Sequence, residues 1–81
     1  MKSFSERLAF AREARGMSRR GLSLAAGISQ ARVGQMERNP EANPRAKTIA
    51  ALADALDVDP TWLLTGEGRA PRARAAVEVA S

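Results

Sequence analysis

The sequence predicts an all-α fold of five short helices. Three observations point to it. Apolar residues recur at helical spacing, as in Ile49, Leu52, Ala53 and Leu56 at i, i+3, i+4 and i+7, the pattern of a helix with one buried face. No stretch alternates apolar and polar residues for long enough to make a strand. Helix-start residues precede each helical stretch, and glycines close several of them.

Taken in order, Ser3 and Glu6 form a capping box that opens the first helix. Phe4, Leu8 and Ala11 then lie on one face, and Gly16 is a suitable stop. Phe10 falls off that stripe and is expected to be exposed, free to touch a partner or a further domain. Ser18 caps the second helix, whose inner face is Leu22 and Ala26, and Gly27 ends it. Ser29 caps the third, with Val33 and Met36 facing inward. Asn43 and Pro44 read as the N-cap and first residue of the fourth. Asp59 and Pro60 repeat that signal for a short fifth helix, TWLLT, stopped by Gly66. Gly21 and Gly34 fall inside predicted helices, each at a cost of about 1 kcal/mol relative to Ala. Gly34 is either tolerated there or lets the third helix approach a backbone closely.

From Glu67 the composition changes to GRAPRARAAVEVAS. This divides the chain into a domain at 1–66 and a flexible tail or linker at 67–81. AAVEVA suits a helical turn or a strand against a partner equally well.

Composition narrows the chemistry. Eighty-one residues fit one domain, with a stability of roughly 3–10 kcal/mol. The absence of Cys excludes disulfides and thiolate catalysis. The absence of His removes the usual general base, and with Cys the common zinc ligands. No Tyr is present as a nucleophile. The chain reads as a non-enzyme without metal or cofactor. No apolar run approaches the ~20 residues of a membrane helix, and MKSFSERLAF lacks the apolar core of a signal peptide. A cytoplasmic location is expected.

The net charge of +4 is unevenly placed. Residues 1–47 carry ten Lys/Arg against four Asp/Glu, whereas residues 48–66 carry only Asp54, Asp57 and Asp59. A basic first half followed by an acidic helix implies one face aimed at a polyanion. The segment SRRGLSLAAGISQARVGQMER, Ser18 to Arg38, reads as two short helices joined by a tight turn, with Gln30, Arg32 and Gln35 on the second. Amides and a guanidinium at the start of a protruding helix are the chemistry that reads base edges in a DNA major groove.

The run from Glu6 to Gly66 resembles the Cro/CI-type helix-turn-helix family, most of all the amino-terminal domains of lambdoid phage repressors. The resemblance is carried by ERLAFAREARGMS, LSLAAGIS, VGQMER, PRAKTIAALADALDV and WLLTGEG in that order. It covers about sixty of the 81 residues and implies a compact five-helix, lambda-repressor-like DNA-binding domain with the motif at helices 2 and 3. In such a domain Leu22, Ala26, Ile28, Val33 and Met36 would seal the motif onto Ile49, Leu52, Leu56, Val58 and Trp62, with Ser23 small at the helix crossing.

The resemblance also implies roles for individual residues. Gln30 and Gln35 match base-contacting positions, where Gln pairs with adenine N6 and N7. Ala31 would touch a thymine methyl. Arg32 would reach either guanine or a phosphate. Ser18 and Arg19, at the start of the second helix, and Arg38 and Asn39, past the end of the third, match phosphate-contacting stretches. Many relatives have Gln where Arg19 stands. Arg45 would face a narrow minor groove or a phosphate. Arg12 and Glu37 would pair beneath the recognition helix.

The function implied is a transcriptional regulator, a repressor, that binds double-stranded DNA at a palindromic operator as a homodimer. The dimer surface is expected in the loop before the fourth helix and around the fifth. The chain would be either a small repressor by itself or the head of a larger one. Two other readings stay open: an antitoxin or adaptor whose main partner is a protein docked on the tail, and nonspecific nucleic-acid binding by charge alone.

Overall fold

Side-chain caps open four of the five helices. A computed structural model describes residues 3–71. Its helices are α1 (Phe4–Ala14), α2 (Arg19–Ala26), α3 (Gln30–Arg38), α4 (Ala46–Leu56) and α5 (Pro60–Thr65). At α1 the full capping box is formed: Ser3 accepts from the Glu6 N–H, and Glu6 accepts from the Ser3 N–H. Ser18 Oγ accepts from the Gly21 N–H at 2.9 Å, and Ser29 Oγ from the Arg32 N–H at 3.2 Å. Asp59 accepts from the Thr61 N–H, with Pro60 following it in the first turn of α5. Each bond satisfies a backbone donor that a helix start leaves without a partner.

The fourth helix begins later than the sequence predicts. Its N-cap is Arg45, without a side-chain capping bond, and Asn43 and Pro44 belong to the preceding loop. Arg45 is extended, at φ −69° and ψ 159°. Pro44 therefore stiffens the connection from α3 instead of starting the helix. The link between α2 and α3 is tight because Gly27 adopts φ 71°, the left-handed region that glycine enters without a Cβ penalty.

The core gathers one face from every helix. Leu8, Leu22, Val33, Leu52, Leu56 and Leu63 are fully enclosed, with Phe4, Ile49 and Trp62 nearly so. Ala26, Ile28 and Val58 pack on the edge of this cluster. α1 lies against α3 and α5, α2 against α3 and α4, and α4 against α5. Phe10 is 39% exposed, with its ring tilted against that of Trp62 at a centroid distance of 6.2 Å. Part of it therefore covers the core.

A buried arginine ties the ends of the domain together. Arg7 Nε donates to the Leu63 carbonyl at 2.9 Å and its Nη2 to the Leu64 carbonyl at 2.7 Å. These carbonyls lie in the last turn of α5, where helix acceptors lack backbone donors and a cation is favoured by the dipole. Residues 67–71 follow α5 without regular structure. The rest of the tail, 72–81, including AAVEVA, lies outside the described residues. No helix among the described residues is long and apolar enough to cross a membrane.

Candidate nucleic-acid interface

The surface of α3 is divided by its helical period. Val33 and Met36 are buried, at 0% and 7% exposure. At about 100° per residue, Ala31, Gln35 and Arg38 lie on the opposite side, with Gln30 and Arg32 on its flanks. All five are exposed. Gln30 is the first residue of α3, directly after the Ser29 cap. One helix thus presents two amides, a methyl and two guanidinium groups outward, anchored by the apolar residues on its inner side.

α2 meets the other end of α3 through an ionic cluster. Arg12 Nε donates to Glu37 Oε2 at 2.7 Å, and its Nη2 to Oε1 at 3.2 Å. Its Nη1 donates to the Met17 carbonyl at 2.8 Å. This fork-on-carboxylate geometry, with the third contact to the α1–α2 loop, locks α3 against α1. The Glu37 hydrogen bond pushes the Arg12 pKa above the usual guanidinium value, against the opposing effect of burial. Arg19, the first residue of α2, also donates from Nε to Glu37 Oε1, at 3.0 Å. The Glu37 side chain is 2% exposed and that of Arg19 51%.

Ser18 and Arg19 are therefore beside the end of α3 that leads into Arg38 and Asn39. All four are exposed. Asn39 caps α3, and its Oδ1 accepts from the Glu41 N–H at 3.0 Å, so that oxygen is engaged in shaping the loop. Arg45 stands on a different element, exposed at the start of α4.

Gly34 is buried, and the atoms nearest to a Cβ built on it belong to the Arg38 guanidinium, with Nη1 at 2.9 Å. Arg38 folds back over the preceding turn of α3. The closest neighbour of Gly34 is therefore a side chain and not a backbone.

Two anchors escape a reading based on apolar periodicity and family pattern. Arg7 occupies the i+3 position of the Phe4, Leu8, Ala11 stripe. A cation on a buried stripe was the available signal, since a buried guanidinium requires acceptors. The Arg19–Glu37 bond joins residues 18 apart, and no local pattern specifies it.

An outward α3, a glycine turn and a supporting α2 define a helix-turn-helix DNA-binding domain, the class whose second motif helix enters the major groove. Residues 8–63 match the helix-turn-helix family, and the chain belongs to it, in its Cro/CI type. The chain is 41% identical over 78 residues to the HTH-type transcriptional regulator PrtR of Pseudomonas aeruginosa. That match covers 96% of this chain and 29% of PrtR, so the chain spans less than a third of that relative's length.

Solved structures agree on the fold. The restriction-modification controller protein C.AhdI from Aeromonas hydrophila is 36% identical, with a TM-score of 0.69, covering 75% of this chain and 91% of its own. The P22 c2 repressor, in complex with a synthetic operator, is 28% identical with a TM-score of 0.74, covering 83% and 100%.

Proposed function

We propose that this chain is the DNA-binding part of a transcriptional repressor that recognises a short, two-fold symmetric operator as a homodimer. The observation that carries the proposal is the outward side of α3, where Gln30, Ala31, Arg32 and Gln35 are all exposed while Val33 and Met36 hold the helix to the core. In this reading Gln30 and Gln35 contact bases, adenine being the natural partner of an amide pair. Ala31 meets a thymine methyl, and Arg32 meets guanine or a phosphate. Ser18, Arg19, Arg38 and Asn39 grip the backbone at the other end of the helix. Arg45 reaches the minor groove or a neighbouring phosphate. The similarity to a repressor described in complex with its synthetic operator supports this assignment.

Charge placement supports it as well. Arg19, Arg20, Arg32, Arg38, Arg45 and Lys47 are exposed, whereas the exposed acids, Glu41 in the α3–α4 loop apart, belong to α1, to α4 and to the residues after it. Leu64, 47% exposed on α5, supports a dimer surface there. Two recognition helices would enter successive major grooves about 34 Å apart. Residues 1–66 form the proposed domain and 67–81 the tail or linker of a cytoplasmic regulator.

The test is selection of duplexes from a random pool by the whole chain. The expected product is a two-fold symmetric consensus whose half-sites lie about ten base pairs apart. Random DNA that competes as well as the selected duplex would overturn sequence-specific recognition and leave binding by charge alone.

A further inference from the structure

The ionic cluster assigns a task to Glu37 beyond holding α3 in place. Arg12 alone gives the Glu37 carboxylate a bidentate partner, in contact with both oxygens. Packing α3 on α1 needs no more than that. Yet Arg19 crosses from α2 to the same carboxylate and places Nε on Oε1. A guanidinium has five N–H donors in a rigid plane. The bond to Glu37 uses one. The side chain remains half exposed at the first residue of α2, where a helix start already favours an anion. Glu13 also lies beside Arg12, at 3.7 Å, so the charges of the cluster balance, and what is left for a further anion is the exposed part of the Arg19 guanidinium. That part can take an anion without first breaking the pair.

We propose that Glu37 is a positioning residue for DNA backbone binding: it holds the Arg19 guanidinium by Nε, leaving the remaining N–H groups to a phosphate. This rests on the DNA-binding reading above. Its consequence is register. Glu37 belongs to the same helix as Gln30, Arg32 and Gln35, so a phosphate held by Arg19 is placed relative to the reading helix itself. Gln at this position would lack the charge and the five-donor fork. Lys carries the charge but presents it as a point, and one ammonium cannot reproduce the planar arrangement.

The test measures affinity of the whole chain for a mixed-sequence 20-base-pair duplex at low salt, where backbone contacts dominate. Arg19→Ala is expected to weaken binding about tenfold and to reduce the salt slope by about one. Glu37→Asp keeps the charge but withdraws the carboxylate by one methylene. It is expected to weaken binding about fivefold beside Arg19 and less than about twofold in the Arg19→Ala background. A merely structural Glu37 would give equal losses in both backgrounds, and that result would overturn the inference.

Circular dichroism establishes that each variant is folded. Should Glu37→Asp not fold, Arg19→Lys decides. Weaker binding with an unchanged salt slope supports positioning, and affinity equal to wild type overturns it. Failure of the wild-type chain to bind the duplex would instead overturn the DNA-binding reading.

Discussion

Arg7 is where the fold is most open to a quantitative challenge. It is 5% exposed and donates to the Leu63 and Leu64 carbonyls from across the domain. Replacing it with Met keeps the stem and removes both donors. Hydrogen bonds from charged groups contribute about 1.5–3 kcal/mol each, so two set an upper bound of about 3–6 kcal/mol. The bond to Leu64 is only partly buried, and water recovers part of it. Met also gains from burial of its thioether. The expected net loss is therefore about 2–4 kcal/mol, a large share of the roughly 3–10 kcal/mol expected for the domain. At about 4–8 °C per kcal/mol, Tm should fall by roughly 8–32 °C. Urea and thermal unfolding followed by circular dichroism measure the loss. The single Trp62, 4% exposed beside this contact, supplies an independent fluorescence signal. Arg7→Lys should lie between the two, because one ammonium does not reproduce the fork across both carbonyls. A Tm for Arg7→Met within about 4 °C of wild type would refute the claim that this arginine fastens α5 to α1.

Gly34→Ala should raise stability by up to about 1 kcal/mol through helix propensity, because only the end of the flexible Arg38 side chain must move. A lower Tm would show that Arg38 is locked in place. Gly27→Ala should destabilise by about 1–2 kcal/mol from the left-handed backbone alone, since nothing lies within 4 Å of the added Cβ. An unchanged denaturation midpoint would contradict this. Leu52→Ala, at a fully enclosed site, should lose about 2–5 kcal/mol in urea unfolding. A loss below about 1 kcal/mol would mean that the core collapses around the gap.

The parts of the fold that the sequence makes legible are those written locally. Ser3, Ser18, Ser29 and Asp59 each cap their own helix, and the apolar stripes identify the buried faces. The start of α4 was not legible. Asn43 and Pro44 satisfy the local rule for a helix start, but both lie in the loop and the helix starts after Arg45. Phe10 lies off its stripe, and its neighbour, Trp62, comes from another helix, so their contact is not written locally. At the site, the outward side of α3 follows from period alone. The Arg19–Glu37 and Arg7–Leu63 bonds span 18 and 56 residues. Only tertiary packing brings those groups together, so neither spacing nor propensity encodes them.

Gln30, exposed at the first turn of α3, is proposed to read a base. Parallel selection of random duplexes by the wild-type chain and by Gln30→Ala tests it most directly. The expected result is a symmetric consensus for the wild type and loss of preference at one symmetric pair of positions for the variant, with the rest intact. An identical consensus from both proteins would contradict it.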